Sequence, residues 1–123
     1  NTDGGFGPTG KSNIDSTYHA VACLRLLESR LEKPNILRFV RSCEKPCGGF
    51  TVIPVNLNPY MEHTYYGIKT LDLLNEKSRY PSQTIDWVLS CQKITGGFAR
   101  SDLGIATFVD SYRAIKIVET LTP

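Results

Sequence analysis

The sequence lacks any apolar run close to the ~20 residues that a membrane-crossing helix needs. It also lacks a charge excess: 14 Lys and Arg stand against 12 Asp and Glu, for a formal net charge of +2. With no basic cluster, a nucleic-acid-binding surface is not expected. No charged-then-apolar leader of the signal-peptide kind opens the chain. It begins at Asn1 without Met, inside what proves to be a repeat, so a processed chain or a fragment is expected. Hydrophobic residues make up 41% and charged residues 21%, a globular balance that argues against a disordered tail. A length of 123 residues leaves room for one domain and one modest core, which excludes a large multidomain enzyme.

Four cysteines are present: Cys23, Cys43, Cys47 and Cys91. In a small secreted domain they would suggest a disulfide framework. Here Cys23 falls inside an apolar helical run, and Cys43 and Cys91 occupy equivalent repeat positions. Equivalence favours buried, reduced thiols packing as small apolar groups, and with them a cytoplasmic location. Cys43, Cys47 and Cys91 do not have the spacing of a standard zinc pair, and no fourth ligand is evident.

What the sequence does contain is a repeat. Gly-Gly-Phe occurs at 4–6, 48–50 and 96–98. A polar loop with Pro or Gly follows each copy, and then a helical run: STYHAVACLRLL (16–27), HTYYGIKTLDLL (63–74) and DSYRAIKIVETL (110–121). Tyr18, Tyr65 and Tyr112 are equivalent at a period of 47. A second segment also recurs: ILRFVRSCEKPCGGF (36–50) matches TIDWVLSCQKITGGF (84–98). The apolar positions Tyr65, Ile68, Leu71 and Leu74, and again Ile36, Leu37, Val40 and Cys43, follow helical spacing.

Each unit thus reads as long helix, turn, shorter helix, Gly-Gly-Phe and loop. Long helices are predicted near 14–31, 62–76 and 106–121, and shorter ones near 35–44 and 82–92. Ser16 and Asp110 are the expected N-caps of the first and third long helices. Pro34 and Pro81 suit the starts of the short ones. Thr51–Val55 has strand-like residues, but Pro54 and Pro59 favour an extended loop. Phe6, Phe50 and Phe98 are expected to fold back as equivalent buried plugs. The fold class is all-α, about two and a half helical hairpins whose open ends should be apolar.

At this point the chain resembles the α/α toroid of protein prenyltransferase β subunits and squalene/terpene cyclases. The residues that carry the resemblance are Ser42–Phe50 (SCEKPCGGF), Ser90–Phe98 (SCQKITGGF), Asp3–Gly7 (DGGFG) and the helix starts DSTY and HTYY. It spans nearly the whole chain and implies an incomplete ring, with residues 1–123 a single repeat domain from a larger toroid. By resemblance, the long helices line a central apolar cavity. Tyr18, Tyr65, Tyr66, Phe108 and Tyr112 then become candidates for its wall, where an isoprenoid or a lipidated peptide would lie.

The chemical motifs are fewer. Gly5–Ser12 matches the phosphate-loop pattern G-x-x-x-x-G-K-[ST], but no strand precedes it and the repeat already accounts for its glycines. Asn13–Thr17 resembles the acidic segment of proton-initiating cyclases with only Asp15 retained, and helix initiation is the simpler explanation. His63 stands at the type of helix start that carries the zinc-ligating His of the prenyltransferases. The family's Asp-x-Cys partner is missing when Ser16-Thr17-Tyr18 is placed opposite. His63 and Asp110 are therefore the remaining metal candidates, one ligand short of a catalytic zinc, and no catalytic residue or bound cofactor is expected within the chain. Two functions remain open. One is a piece of a prenyltransferase or terpene cyclase completed by other segments. The other is a non-catalytic repeat module for protein–protein interaction or self-association, with a homodimer as the first expectation.

Overall fold

A computed structural model describes all of residues 1–123. Five α-helices form and no β-strand: α1 (Ile14–Leu26), α2 (Lys33–Cys43), α3 (Met61–Leu73), α4 (Pro81–Ser90) and α5 (Phe108–Leu121), with a 3-10 turn at Pro8–Gly10 before them. The long helices α1, α3 and α5 pack side by side in chain order. α2 packs on α1 and α3, and α4 packs on α5. One core cluster joins the layers, with Val21, Phe39, Phe50, Ile68, Leu71, Val88 and Ile117 among its members. No helix is long and apolar enough to cross a membrane.

The all-α repeat is as expected, and Thr51–Tyr60 is loop rather than strand. α1, however, ends at Leu26 and not near residue 31. Glu28 takes a positive φ of 54°, Glu28 N–H donates to Arg25 O, and Ser29 N–H donates to Leu24 O. This double bond is a helix stop that satisfies the last free carbonyls. α3 ends in the same way 47 residues later, with Asn75 at φ 58°. Periodicity could not reveal the first stop because Glu28 is neither Gly nor Asn.

The N-caps also differ from expectation. Asn13 accepts from Ser16 N–H at 2.7 Å, and Thr107 Oγ1 accepts from Asp110 N–H at 3.0 Å. Ser16 and Asp110 are therefore the third residues of their helices, donating to the caps, and not caps themselves.

The repeat is stitched by one recurring hydroxyl. Phe6, Phe50 and Phe98 donate their N–H groups to Thr17, Thr64 and Ser111, at 3.0, 3.0 and 2.9 Å. The three acceptors are 47 residues apart and lie in the first turn of each long helix. Adjacent units are tied by backbone as well. Ile14 N–H donates to Val52 O and Met61 N–H to Arg100 O, so each of these helix starts is capped by the loop of the next unit.

Only the middle phenylalanine is a fully buried plug. Phe50 has no exposed surface, whereas Phe6 and Phe98 are half-buried. Phe50 is flanked by a unit on either side and lies against Gly67, where a Cβ would come within 2.3 Å of the ring. Within residues 1–123 the other two are packed by a neighbouring unit on one side only. Glu44 is a buried charge of the interior. It accepts from Ser78 Oγ, Arg79 N–H and Arg79 Nε and pairs with Arg41, tying the end of α2 to the loop before α4.

Candidate functional site

The first turns of α1 and α3 lie beside one another, and their side chains meet across the helix pair. His63 Nδ1 is 2.8 Å from Asp15 Oδ1, with both side chains largely buried. A carboxylate only accepts, so the bond places the imidazole proton on Nδ1 and leaves Nε2 free. Glu62 completes a group in which one donor atom from each residue lies within 4.8 Å of the others. Carboxylates in the first turn of a helix also face its free N–H groups, which favours negative charge there.

A polar cleft of about 260 Å³ continues from this point, lined by Tyr60, Glu62, His63, Arg100 and Asp110. The Arg100 guanidinium stands 4.2 Å over the Tyr60 ring. Asp110 accepts from Thr107 Oγ1 at 2.7 Å, and this capping holds it outside the Asp15–Glu62–His63 group.

One helical turn further along the same faces the site becomes aromatic. Tyr18 and Tyr66 stack with ring centroids 4.9 Å apart, and His19 stands edge-on to both. Tyr65 sits 5.7 Å from Tyr66 and 6.4 Å from Tyr112. The Arg113 guanidinium lies 5.5 Å from the Tyr66 ring and its Nη2 donates to the Tyr66 hydroxyl. Burial, and then the neighbouring phenols Tyr112 and Tyr18, push the Tyr65 hydroxyl above its ordinary pKa, so it stays a neutral donor at neutral pH.

The structure thus brings four of the five cavity candidates together: Tyr18, Tyr65, Tyr66 and Tyr112. Phe108 is almost wholly exposed at the start of α5 and makes no ring contact with them. Of the metal candidates, His63 is paired with Asp15 and not with Asp110. Sequence reasoning missed this partner for a specific reason. Equivalent residues on the long helices repeat every 47 positions, but two pairs that meet between α1 and α3 are 48 apart: Asp15 with His63, and Tyr18 with Tyr66. Placing equivalent positions opposite one another put Ser16 where Asp15 belongs.

Gly5–Ser12 is not a phosphate cradle. Its centre is the short 3-10 turn, and Ser12 is spent on Asp3 Oδ1 at 2.6 Å. All four cysteines are free. Burial pushes the Cys43 thiol up to about 12 and the Cys91 thiol up to about 11, which makes both inert near neutrality. Cys23 and Cys47 are exposed, in contrast to the buried position expected for Cys23.

The family model of the prenyltransferase alpha-alpha toroid domain matches residues 1–107 and again residues 56–122. The chain belongs to that family. It is similar to the geranylgeranyl transferase type-1 subunit beta of Arabidopsis thaliana, with 35% identity over 83 residues. That match covers 64% of this chain and 22% of the plant protein, so the chain spans under a quarter of its relative.

The resemblance implies zinc, and the donor set can be tested against it. One imidazole and two carboxylates are chemically suitable. Ligand atoms of a tetrahedral zinc with bonds of about 2.0–2.1 Å stand roughly 3.3 Å apart. For His63 Nδ1 and Asp15 Oδ1 to share the ion, the imidazole proton would have to leave Nδ1 and their 2.8 Å contact open by about half an ångström. Thr17 adds no ligand, because its hydroxyl accepts from Phe6 N–H and donates to Asn13 O. The residues present fit the ion as a three-donor set without a thiolate.

Proposed function

We propose that residues 1–123 form part of the wall and mouth of a toroid that handles an isoprenoid, with other segments completing the cavity. One observation carries this reading: the Tyr18–Tyr66 stack lies one helical turn from the Asp15–His63 pair. An apolar prenyl chain gains from the flat faces of stacked phenols, while its polar end needs the charged groups at the helix starts. Arg113, held against Tyr65 and Tyr66, keeps those rings oriented.

Asp15, Glu62 and His63 are the residues that would hold zinc. When bound, zinc stabilises the thiolate form of a substrate thiol at neutral pH. In the chain itself, Asp15 orients the imidazole and fixes its tautomer. Transfer of a prenyl group by the whole assembly is part of this proposal, since the related plant subunit is named for geranylgeranyl transfer and this chain covers a small part of it.

The test is a calorimetric titration of the chain with geranylgeranyl diphosphate, alongside Tyr18→Ala and Tyr66→Ala variants. Saturable binding that weakens at least tenfold in each variant is the expected result. Equal heats from wild type and both variants would remove the aromatic wall from the site. Zinc content is measured on the same samples. Stoichiometric uptake that rises with pH and is lost in His63→Ala and Asp15→Ala is expected, because the metal displaces a proton from the pair.

A further inference from the structure

Both short helices run into Cys-x-Lys before the Gly-Gly-Phe turn, so Lys45 and Lys93 are equivalent at a spacing of 48. The turn clamps each lysine by its backbone. Lys45 N–H donates to Gly49 O at 3.0 Å and Lys93 N–H to Gly97 O at 2.7 Å, while Gly48 and Gly96 donate their N–H groups back to the lysine carbonyls. The side chains then reach the same way. Lys45 Nζ donates to Pro54 O at 2.7 Å, and Lys93 Nζ donates to Asp102 O. Pro54 and Asp102 are also 48 apart, so each ammonium holds the same point of the loop that leads to the next long helix.

The loop after Phe98 has little else to hold it. At its entry Ala99 N–H donates to Cys91 O, and Arg100 O accepts from Met61 N–H. At its exit Thr107 N–H donates to Phe98 O. Between them, the one hydrogen bond that ties Ser101–Ala106 to the rest of the molecule is the bond from Lys93. Burial does not replace it, since Leu103 and Ile105 at the tip are 92% and 86% exposed. An ammonium on a carbonyl is a charge-assisted bond, stronger than a neutral one. The loop matters to the site because Arg100 stands at its entry. The Arg100 guanidinium lies 4.2 Å over the Tyr60 ring, and the residue lines the polar cleft with Glu62, His63 and Asp110. It is the one Lys or Arg of that cleft, seated on an aromatic face and not ion-paired with either carboxylate.

We propose that Lys93 is a positioning residue of the cleft. It fixes the Ser101–Ala106 tip, which sets the backbone that follows Arg100 and keeps the guanidinium seated on Tyr60 and turned to the polar end of a bound ligand. Tyr60 is held independently, because its carbonyl accepts from Thr64 N–H at 3.0 Å. Without the ammonium the tip is free, and the torsion after Arg100 samples more than one well. A guanidinium fixed beforehand loses less freedom when a ligand arrives. Lys45 holds the loop before Tyr60 in the same manner, but Thr51–Tyr60 contains no charged residue and gives the cleft no charge. Lys45 is therefore the internal control. The effect on a ligand rests on the isoprenoid reading above, whereas the seating of Arg100 does not.

The test is NMR of the intact chain, with the Arg100 side-chain signals assigned through Arg100→Ala. Protons above an aromatic face are displaced upfield. The Arg100 signals should therefore be displaced in the wild type and return to the free-arginine position in Tyr60→Leu. Lys93→Met keeps the apolar stem and removes the donor. It should abolish the displacement while the helix amide shifts stay in place. Lys93→Arg should restore it, and Lys45→Met should leave it intact. A displacement that persists in Lys93→Met, or that Lys45→Met abolishes as well, would overturn the proposal. The same variants are titrated with geranylgeranyl diphosphate. Binding should weaken about tenfold in Lys93→Met and recover in Lys93→Arg. Undiminished binding despite a lost displacement would overturn the role of Lys93 at the ligand site. No binding by the wild type would overturn the isoprenoid reading alone, and the Arg100 signals would still decide whether Lys93 seats the guanidinium.

Discussion

Truncating Phe50 to Ala removes the centre of the repeat, and its effect can be worked from the packing. The ring has no solvent exposure, and it lies so close to Gly67 that no side chain fits between. A fully buried Phe→Ala change costs about 3–5 kcal/mol, the lost transfer energy plus the cavity left behind. Collapse to refill this cavity is hindered. Phe50 N–H is pinned to Thr64, so the backbone cannot follow the shrinking side chain. The upper half of the range is therefore expected. For a domain of this length, 1 kcal/mol moves the melting temperature by about 3–5 °C, so a fall of roughly 12–25 °C should appear in a thermal scan. Phe98 provides the internal control. It makes the same hydrogen bond, to Ser111, but is only partly buried, since within residues 1–123 it is packed from one side. Phe98→Ala should cost measurably less, since less of its area is removed from water. Equal losses in the two variants would refute the claim that the middle unit is packed from both sides and the last from one.

Two further outcomes follow from particular residues. Glu28 pays the left-handed penalty of a non-glycine residue in the stop after α1, so Glu28→Gly should stabilise the chain by about 1 kcal/mol in urea unfolding. The thiols should separate into two classes on native alkylation at pH 8: Cys23 and Cys47 react quickly, while Cys43 and Cys91 are protected until unfolding. Because the folded-state values of the buried pair lie above the ordinary 9.0, the folded chain holds these protons longer than the unfolded one. Stability is complete below about pH 9 and should fall as the pH rises toward 11–12.

The sequence by itself determined the period, the helix count and the helical class. Gly-Gly-Phe, the tyrosine at each long-helix start and the apolar spacing are local patterns, and local patterns survive translation along the chain. It also determined which residues repeat, hence the aromatic candidates Tyr18, Tyr65, Tyr66 and Tyr112, which the fold gathers on adjacent helices. Helix ends were harder. The stop at Glu28 and the caps at Asn13 and Thr107 rest on hydrogen bonds that several residue types can make. Only the tertiary structure decided who faces whom. At their first turns α1 and α3 meet one residue out of step with the repeat, so His63 finds Asp15 and not its counterpart Ser16. That offset comes from how the helix surfaces interlock in space, and no periodicity along a single chain encodes it. The same holds for burial: Phe6, Phe50 and Phe98 are alike in sequence, and they differ in exposure because only the middle one has a neighbour on each side.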